Sequence, residues 1–198
     1  GKLPLELYVE KLFQYLDRKY YVSLFSAAKF HGAAHQQPQR DYLMIETPKL
    51  KAIRKNSISI DFFTVNFWPV DNIEQRQVDA GIFKISSPAL TILDLVHHHN
   101  KIGGFNRILS ALEELSEVIE EGDIKSLLSW YPYKSTLQRV GFIQEELLGD
   151  NSFSKAIYAK LSEHTFYPVL LSPRSEQKPG RVDRKWKVDV NLKLESDL

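Results

Sequence analysis

Two histidines four residues apart are the first place to look for chemistry, because on a helix that spacing sets both imidazoles on one face, where they can share a metal ion. His31 and His35 have this spacing. Gly32, however, stands where a zinc hydrolase would carry its general-base glutamate, and Gln36-Gln37-Pro38 stops a helix at this point. The pair therefore reads as capping or loop packing. His97, His98 and His99 are consecutive, so on a helix they point in three directions. A helix C-terminus tolerates their partial positive charge, and they read as a polar helix end.

Carboxylates offer a second chemistry. A metal-dependent nuclease needs at least two of them converging on one divalent ion. Asp61 and Asp189 each fall in an expected strand and form the candidate pair, although neither belongs to a recognisable motif with a nearby lysine. Phosphate-loop chemistry is excluded, since Gly103-Gly104 is isolated and lacks the lysine-serine that would follow. There is no nucleophile-elbow serine, and no glycine-serine followed by paired aspartates of a nucleotidyltransferase. With no cysteine in the chain, disulfides and thiolate metal sites are also excluded. The expectation is a protein with no catalytic residue, no metal and no cofactor, against an alternative of a metal-dependent nuclease-like domain.

The stronger signal is basic. Lysines and arginines neutralise phosphates and release counterions, and two clusters stand out: Lys49, Lys51, Arg54 and Lys55, then Arg174, Lys178, Arg181, Arg184, Lys185 and Lys187. Both are expected contact surfaces for nucleic acid or a partner, against the plain alternative of solvated loops. Trp186, set between Lys185 and Lys187, serves either as a stacking ring or as core. Net charge is only +1, which rules out a globally basic binder but leaves room for local patches. Residues 1–60 hold ten basic and five acidic side chains, a balance of +5, and residues 61–122 hold four and ten, a balance of −6.

The elements that must carry these residues follow from periodicity. Apolar spacing predicts helices over 5–16 and 22–34, then strands over 42–47 and 57–65 joined by the basic link 48–56. A strand over 81–85 leads into Ser87-Pro88, a helix start in which serine caps free amides and proline suits the first turn. Helices are predicted over 106–119, through Leu128 with Asp123 as cap, over 136–148 and over 154–161. Strands over 166–171 and 186–194 close the chain around a charged loop, 172–185, long enough to be either functional or disordered. Strands that do not alternate with helices predict an α+β fold, helices packed on a small mixed or mainly antiparallel sheet.

At 198 residues and 43% apolar content the chain has enough for one core, so residues 1–198 are expected to form a single domain. No apolar run reaches the roughly 18 residues a bilayer requires, and no secretory leader opens the chain. No membrane role and a cytoplasmic location are expected. The first residue is Gly1 and the only methionine is Met44. A trimmed protein is expected, continuing N-terminally by about 80–100 residues, the size of a small DNA-binding domain.

Three stretches in order carry a family resemblance. Tyr20-Tyr21-Val22-Ser23-Leu24, Ala27-Ala28 and His31-Gly32-Ala33-Ala34-His35-Gln36-Gln37-Pro38-Gln39 resemble the AbiEi antitoxins of bacterial toxin–antitoxin operons. So do Ser86-Ser87-Pro88-Ala89-Leu90-Thr91-Ile92-Leu93-Asp94-Leu95 and the ending from Trp186-Lys187-Val188-Asp189-Val190-Asn191 to Leu198. The resemblance implies the C-terminal domain of a transcriptional repressor whose N-terminal winged helix-turn-helix binds operator DNA. It also implies an effector that counteracts a nucleotidyltransferase-like toxin in a type IV manner, acting on the toxin's effect or on its RNA substrate. Self-association of the intact protein is the third reading. The motif residues His31, Gly32, His35, Gln36, Gln37, Pro38, Ser87, Pro88 and Asp94 are expected to mark the fold before they mark a site.

Overall fold

Tyr20–Val22 holds three consecutive side chains that favour extended backbone, all of them buried, and it forms β1 in the interior of a sheet. The helix expected over 22–34 therefore begins later. Ser23 is extended, Leu24 takes φ 52°, and α2 runs over Leu24–Phe30. The computed structural model describes residues 1–34, 38–175 and 180–195.

The remaining strands of this sheet are β2 (Asp41–Glu46), β3 (Ile53–Lys55), β4 (Ile58–Val65), β5 (Ile73–Val78) and β6 (Gly81–Ser86). Their order is β3-β4-β2-β1-β6-β5. β1 is antiparallel to β2 and parallel to β6, β2 is parallel to β4, and β3 and β5 pair antiparallel at the edges. The sheet is mixed and wider than the small one expected. β3 and β5 were not legible as strands. β3 sits in the basic link, and β5 (Ile-Glu-Gln-Arg-Gln-Val) is a polar edge strand without the buried alternation of a core one.

Each face of the sheet is covered differently. A short 3-10 turn (Leu5–Leu7) and α1 (Val9–Leu16) lay Leu5, Val9 and Phe13 against Leu43, Ile45, Phe62, Phe83 and Ile85. The opposite face receives α3 (Pro88–His97), whose side chains from Ala89 to Val96 are all buried. A helix apolar all round belongs at the centre of a core, and α3 is packed by α2, α4 (Phe105–Val118), α5 (Glu121–Leu128) and α6 (Lys134–Leu148). Helix α7 (Ser152–Leu161) lies along α5 and α6. Beyond it β7 (Val169–Leu170), β8 (Arg181–Asp183) and β9 (Val188–Val190) form a second sheet of order β7-β9-β8. The architecture is α+β.

Trp186 anchors this second sheet. It is fully buried, and Gly141 of α6 leaves room for it: a Cβ there would fall 2.1 Å from Trp186 Cζ3. Its indole Nε1 donates to Glu145 Oε2 at 2.8 Å. The alternating run 186–194 is therefore only partly strand. Trp186 and Lys187 (φ 53°) lie in the β8–β9 turn, and Asp183 Oδ2 accepts from the Trp186 amide at 2.8 Å. Similarly, β7 is shorter than 166–171, because Phe166 turns into the core ahead of Pro168.

Candidate functional site

Where α2, α4 and strands β2 to β4 meet, aromatic rings, guanidinium groups and a carboxylate come together. Tyr42 on β2 is the centre. Its amide donates to Ser26 Oγ at 2.9 Å and its carbonyl accepts from the Ser23 amide at 3.0 Å, so α2 holds the residue by both backbone groups. Because β2 and β4 run parallel with Tyr42 opposite Asp61 and Met44 opposite Phe63, Tyr42, Asp61 and Phe63 share the face on which the helices lie. Tyr42 meets Phe63 at 5.9 Å, near-stacked, and Phe25 of α2 edge-on at 5.6 Å.

Three guanidinium groups surround these rings. Arg40 and Arg54 both reach Asp61, at 3.3 and 2.5 Å, and Arg54 also donates to the Ile60 carbonyl at 2.9 Å. Arg107 of α4 lies over the Phe25 ring at 5.9 Å. Its stem crosses Gly103, whose φ of 108° and missing Cβ make the passage; a Cβ would sit 2.3 Å from Arg107 Cδ. Burial raises the Tyr42 phenol above its ordinary range, and Asp61 adds to this, whereas the positive charges of Arg107, Arg40 and Arg54 draw it down. Of this group only Arg54 lay within a basic run. Arg40, Arg107, Phe25 and Tyr42 are ordinary residues on separate elements, and no sequence spacing links them.

The motif residues build a buried polar seam. The His31 Nε2 contacts the Ser86 carbonyl at 2.7 Å and Nδ1 faces Arg76 at 3.3 Å, while Arg76 donates to the Phe30 carbonyl. That pattern requires a neutral ring with the proton on Nε2, in keeping with a pKa lowered by burial and by Arg76. Gly32 takes φ 78° just after α2. Ser87 caps α3 by accepting from the Leu90 amide at 3.2 Å, with Pro88 at the first position. Asp94 is wholly enclosed, accepts from the Tyr21 hydroxyl at 2.8 Å, and is pushed up to about 7 by burial against the counter-pull of that bond. Pro38 is half-buried; His35, Gln36 and Gln37 lie outside the described residues.

Asp123 does not cap its own helix, as the sequence had indicated. Its Oδ2 accepts from the Ala89 amide at 2.8 Å and so completes the cap of α3, while Oδ1 and the backbone carbonyl accept from Asn72 Nδ2. Asn72 (φ 70°) also accepts from Trp130 Nε1 at 2.8 Å and from the Ser87 amide through its carbonyl. His97 and His99 are likewise occupied, whereas His98 Nε2 is buried without a hydrogen-bond partner among the described residues. His97 Nδ1 meets Thr136 Oγ1 at 2.9 Å, His99 Nδ1 meets the Val96 carbonyl at 2.7 Å and stacks on Phe105, and His98 packs edge-on to Phe63. Burial holds the His98 ring near a pKa of about 3, hence neutral.

Asp61 and Asp189 are not brought together. Asp61 stands on the six-stranded sheet between two arginines; Asp189 stands on the three-stranded sheet and accepts from the Gly180 amide at 2.7 Å. Among the described residues no three His, Asp or Glu side chains cluster as a metal-ion set. No helix among them is long and apolar enough to cross a membrane.

The basic clusters divide. Lys49, Lys51 and Lys55 are exposed beside the half-engaged Arg54. Arg174, Arg181 and Arg184 are exposed, and Lys178 lies outside the described residues. Lys185 is paired with Glu145 and lies over the Tyr158 and Trp186 rings, and Lys187 donates to the Phe166 carbonyl at 2.9 Å. A groove of about 620 Å³ lies elsewhere, between α5 and α7, lined by Ile124, Leu128, Ala156 and Ala159 under a rim of Lys125, Lys160, Glu121 and Glu163. It holds none of the candidate residues.

Comparison with known proteins completes the description. The family model described as AbiEi antitoxin C-terminal domain matches residues 21–146, from β1 to α6. No curated protein matches significantly. Among solved structures the chain is similar to an antigenic nucleotidyltransferase-like protein from Paracoccidioides brasiliensis, at 12% identity and a TM-score of 0.42, over 76% of this chain and 89% of that one.

Proposed function

The chain belongs to the AbiEi antitoxin C-terminal domain family, and on that premise we propose that it is the effector domain of a bacterial cytoplasmic antitoxin that counteracts a nucleotidyltransferase-like toxin encoded beside it. The observation that carries the reading is the extent of the family match, which takes in the whole α3-centred hub with its Ser87 cap and its Tyr21–Asp94 bond. Operator binding belongs in this proposal to a winged helix-turn-helix preceding the domain, and the domain supports the repression that helix exerts.

The mechanism is non-catalytic. Asp61, one of the two carboxylates considered for metal chemistry, is spent on Arg40 and Arg54, and a carboxylate paired with two arginines is a poor ligand for a divalent ion. The exposed cations Lys49, Lys51, Lys55, Arg174, Arg181 and Arg184 are the contact surface toward the toxin's RNA substrate or the toxin itself. Neutralisation of type IV needs no stable complex between the two proteins.

The test is co-production of this chain with the nucleotidyltransferase-like protein of the adjacent gene in a bacterial host. Growth arrested by the toxin alone is expected to resume. Continued arrest with the chain present in soluble, folded form would overturn the reading.

A further inference from the structure

A structural ion pair needs one arginine for one carboxylate. Among the described residues the Tyr42 corner sets three arginines around the one carboxylate of Asp61, a surplus of positive charge beside a half-buried phenol. The side chains of Arg40 and Arg54 remain 54% and 40% exposed, and Arg107 is exposed as well, so this charge faces solvent. Beneath it lies an aromatic floor, Phe25 and Tyr42 over the buried Phe63. The placement is held from several sides: Gly103 clears the stem of Arg107, Ser23 and Ser26 hold the backbone of Tyr42, and the Ile60 carbonyl fixes Arg54.

A bare anion would use the guanidinium groups but leave the rings idle. A duplex would offer phosphates while its base faces stay stacked on one another. A single strand offers both, a planar base for the ring and phosphates on either side of it. We propose that the corner formed by Phe25, Arg40, Tyr42, Arg54 and Arg107 binds single-stranded nucleic acid, with one base stacked on the Tyr42 ring, its edge against Phe25, and the flanking phosphates on Arg40 and Arg107. Arg54 positions the corner by tying Asp61 to the strand edge. The inference deepens the antitoxin reading by naming the ligand of one basic surface, and it rests on that reading for its biological setting only. Its assay contains no toxin, so failure of strand binding and failure of growth rescue are separate results.

Fluorescence anisotropy of a short labelled oligoadenylate RNA with the purified chain is the experiment. Arg40→Ala/Arg107→Ala is expected to weaken binding and to reduce the slope of log affinity against log salt by about 1.4, since each single-strand phosphate contributes about 0.7. Tyr42→Leu is expected to weaken binding by about fivefold or more while leaving that slope unchanged, the signature of a lost stack. Lys125→Ala/Lys134→Ala removes the same charge from α5 and α6 and is expected to bind as the wild type. A duplex DNA probe is expected to be insensitive to Tyr42→Leu. The proposal is overturned if the wild type does not bind the strand. It is also overturned if a folded Tyr42→Leu binds unchanged, or if the lysine control loses as much as the arginine pair. Should Tyr42→Leu fail to fold, the arginine pair, whose side chains lie on the surface, decides alone against the same control.

Discussion

Asp94 makes the most quantitative demand on this structure. Its carboxyl is enclosed by α3's own packing, with the Tyr21 hydroxyl donating to it and Tyr131 close enough to feel its charge. Burial raises it from the ordinary 3.8 to about 7. The folded state therefore keeps a proton that the unfolded chain has already released. Stability from this group is complete below about pH 4 and is lost as pH rises through about 7. At 1.36 kcal/mol per tenfold displacement, the whole window is worth about 4 kcal/mol, of which about 3 falls between pH 5 and pH 8. Asp94→Asn removes the titration and keeps an oxygen for Tyr21. Urea unfolding of both proteins across pH 5–8 isolates the effect, because every other titrating group cancels in the difference. The asparagine variant is expected to gain on the wild type by a few kcal/mol as pH rises, levelling off above about 7. A difference that stays flat across this range would refute the reasoning and mean that Asp94 is ionised in the native protein throughout.

Three further outcomes follow from particular contacts. Gly141→Ala forces a methyl group to within 2.1 Å of the buried Trp186 ring; overpacking of about 1–3 kcal/mol outweighs the helix-propensity gain of about 1 kcal/mol, so a lower melting temperature is expected and a higher one would contradict the packing. Arg181→Ala/Arg184→Ala/Lys185→Ala is expected to weaken nucleic-acid binding similarly for probes of different sequence, since phosphate contacts position without specifying. Its melting temperature should change little, the exposed Lys185–Glu145 pair being worth at most about 1 kcal/mol, and unchanged affinity and salt slope would remove the arm from the contact surface. Metal analysis of the purified chain is expected to find no stoichiometric zinc, and magnesium-dependent cleavage of RNA or DNA that Asp61→Ala abolishes would restore the nuclease reading.

Features written in local chemistry were legible in the sequence. Ser87-Pro88 marks a helix start because serine and proline act on the next few amides, and the apolar run after it becomes the core helix α3. Features that depend on partners far along the chain were not. Tyr20–Val22 is too short to show a period and becomes β1 only because β2 and β6 flank it. Asp123 sits where a helix cap belongs, yet the amide it satisfies is that of Ala89, presented by the tertiary packing of α3 on α5. The Tyr42 corner draws on residues from Phe25 to Arg107, brought together by the parallel β2–β4 register. Composition locates a basic run such as 49–55; it does not reveal that one of its members shares a carboxylate with Arg40.

The central claim, that this domain acts as a non-catalytic antitoxin, is tested most directly by viable counts after toxin induction in cells making either the wild-type chain or its Asp189→Asn variant, with toxin abundance measured in both. The account predicts that both restore the counts of the toxin-free strain without lowering toxin abundance. Loss of rescue in the folded carboxylate variant, or no rescue by the wild type, would contradict it.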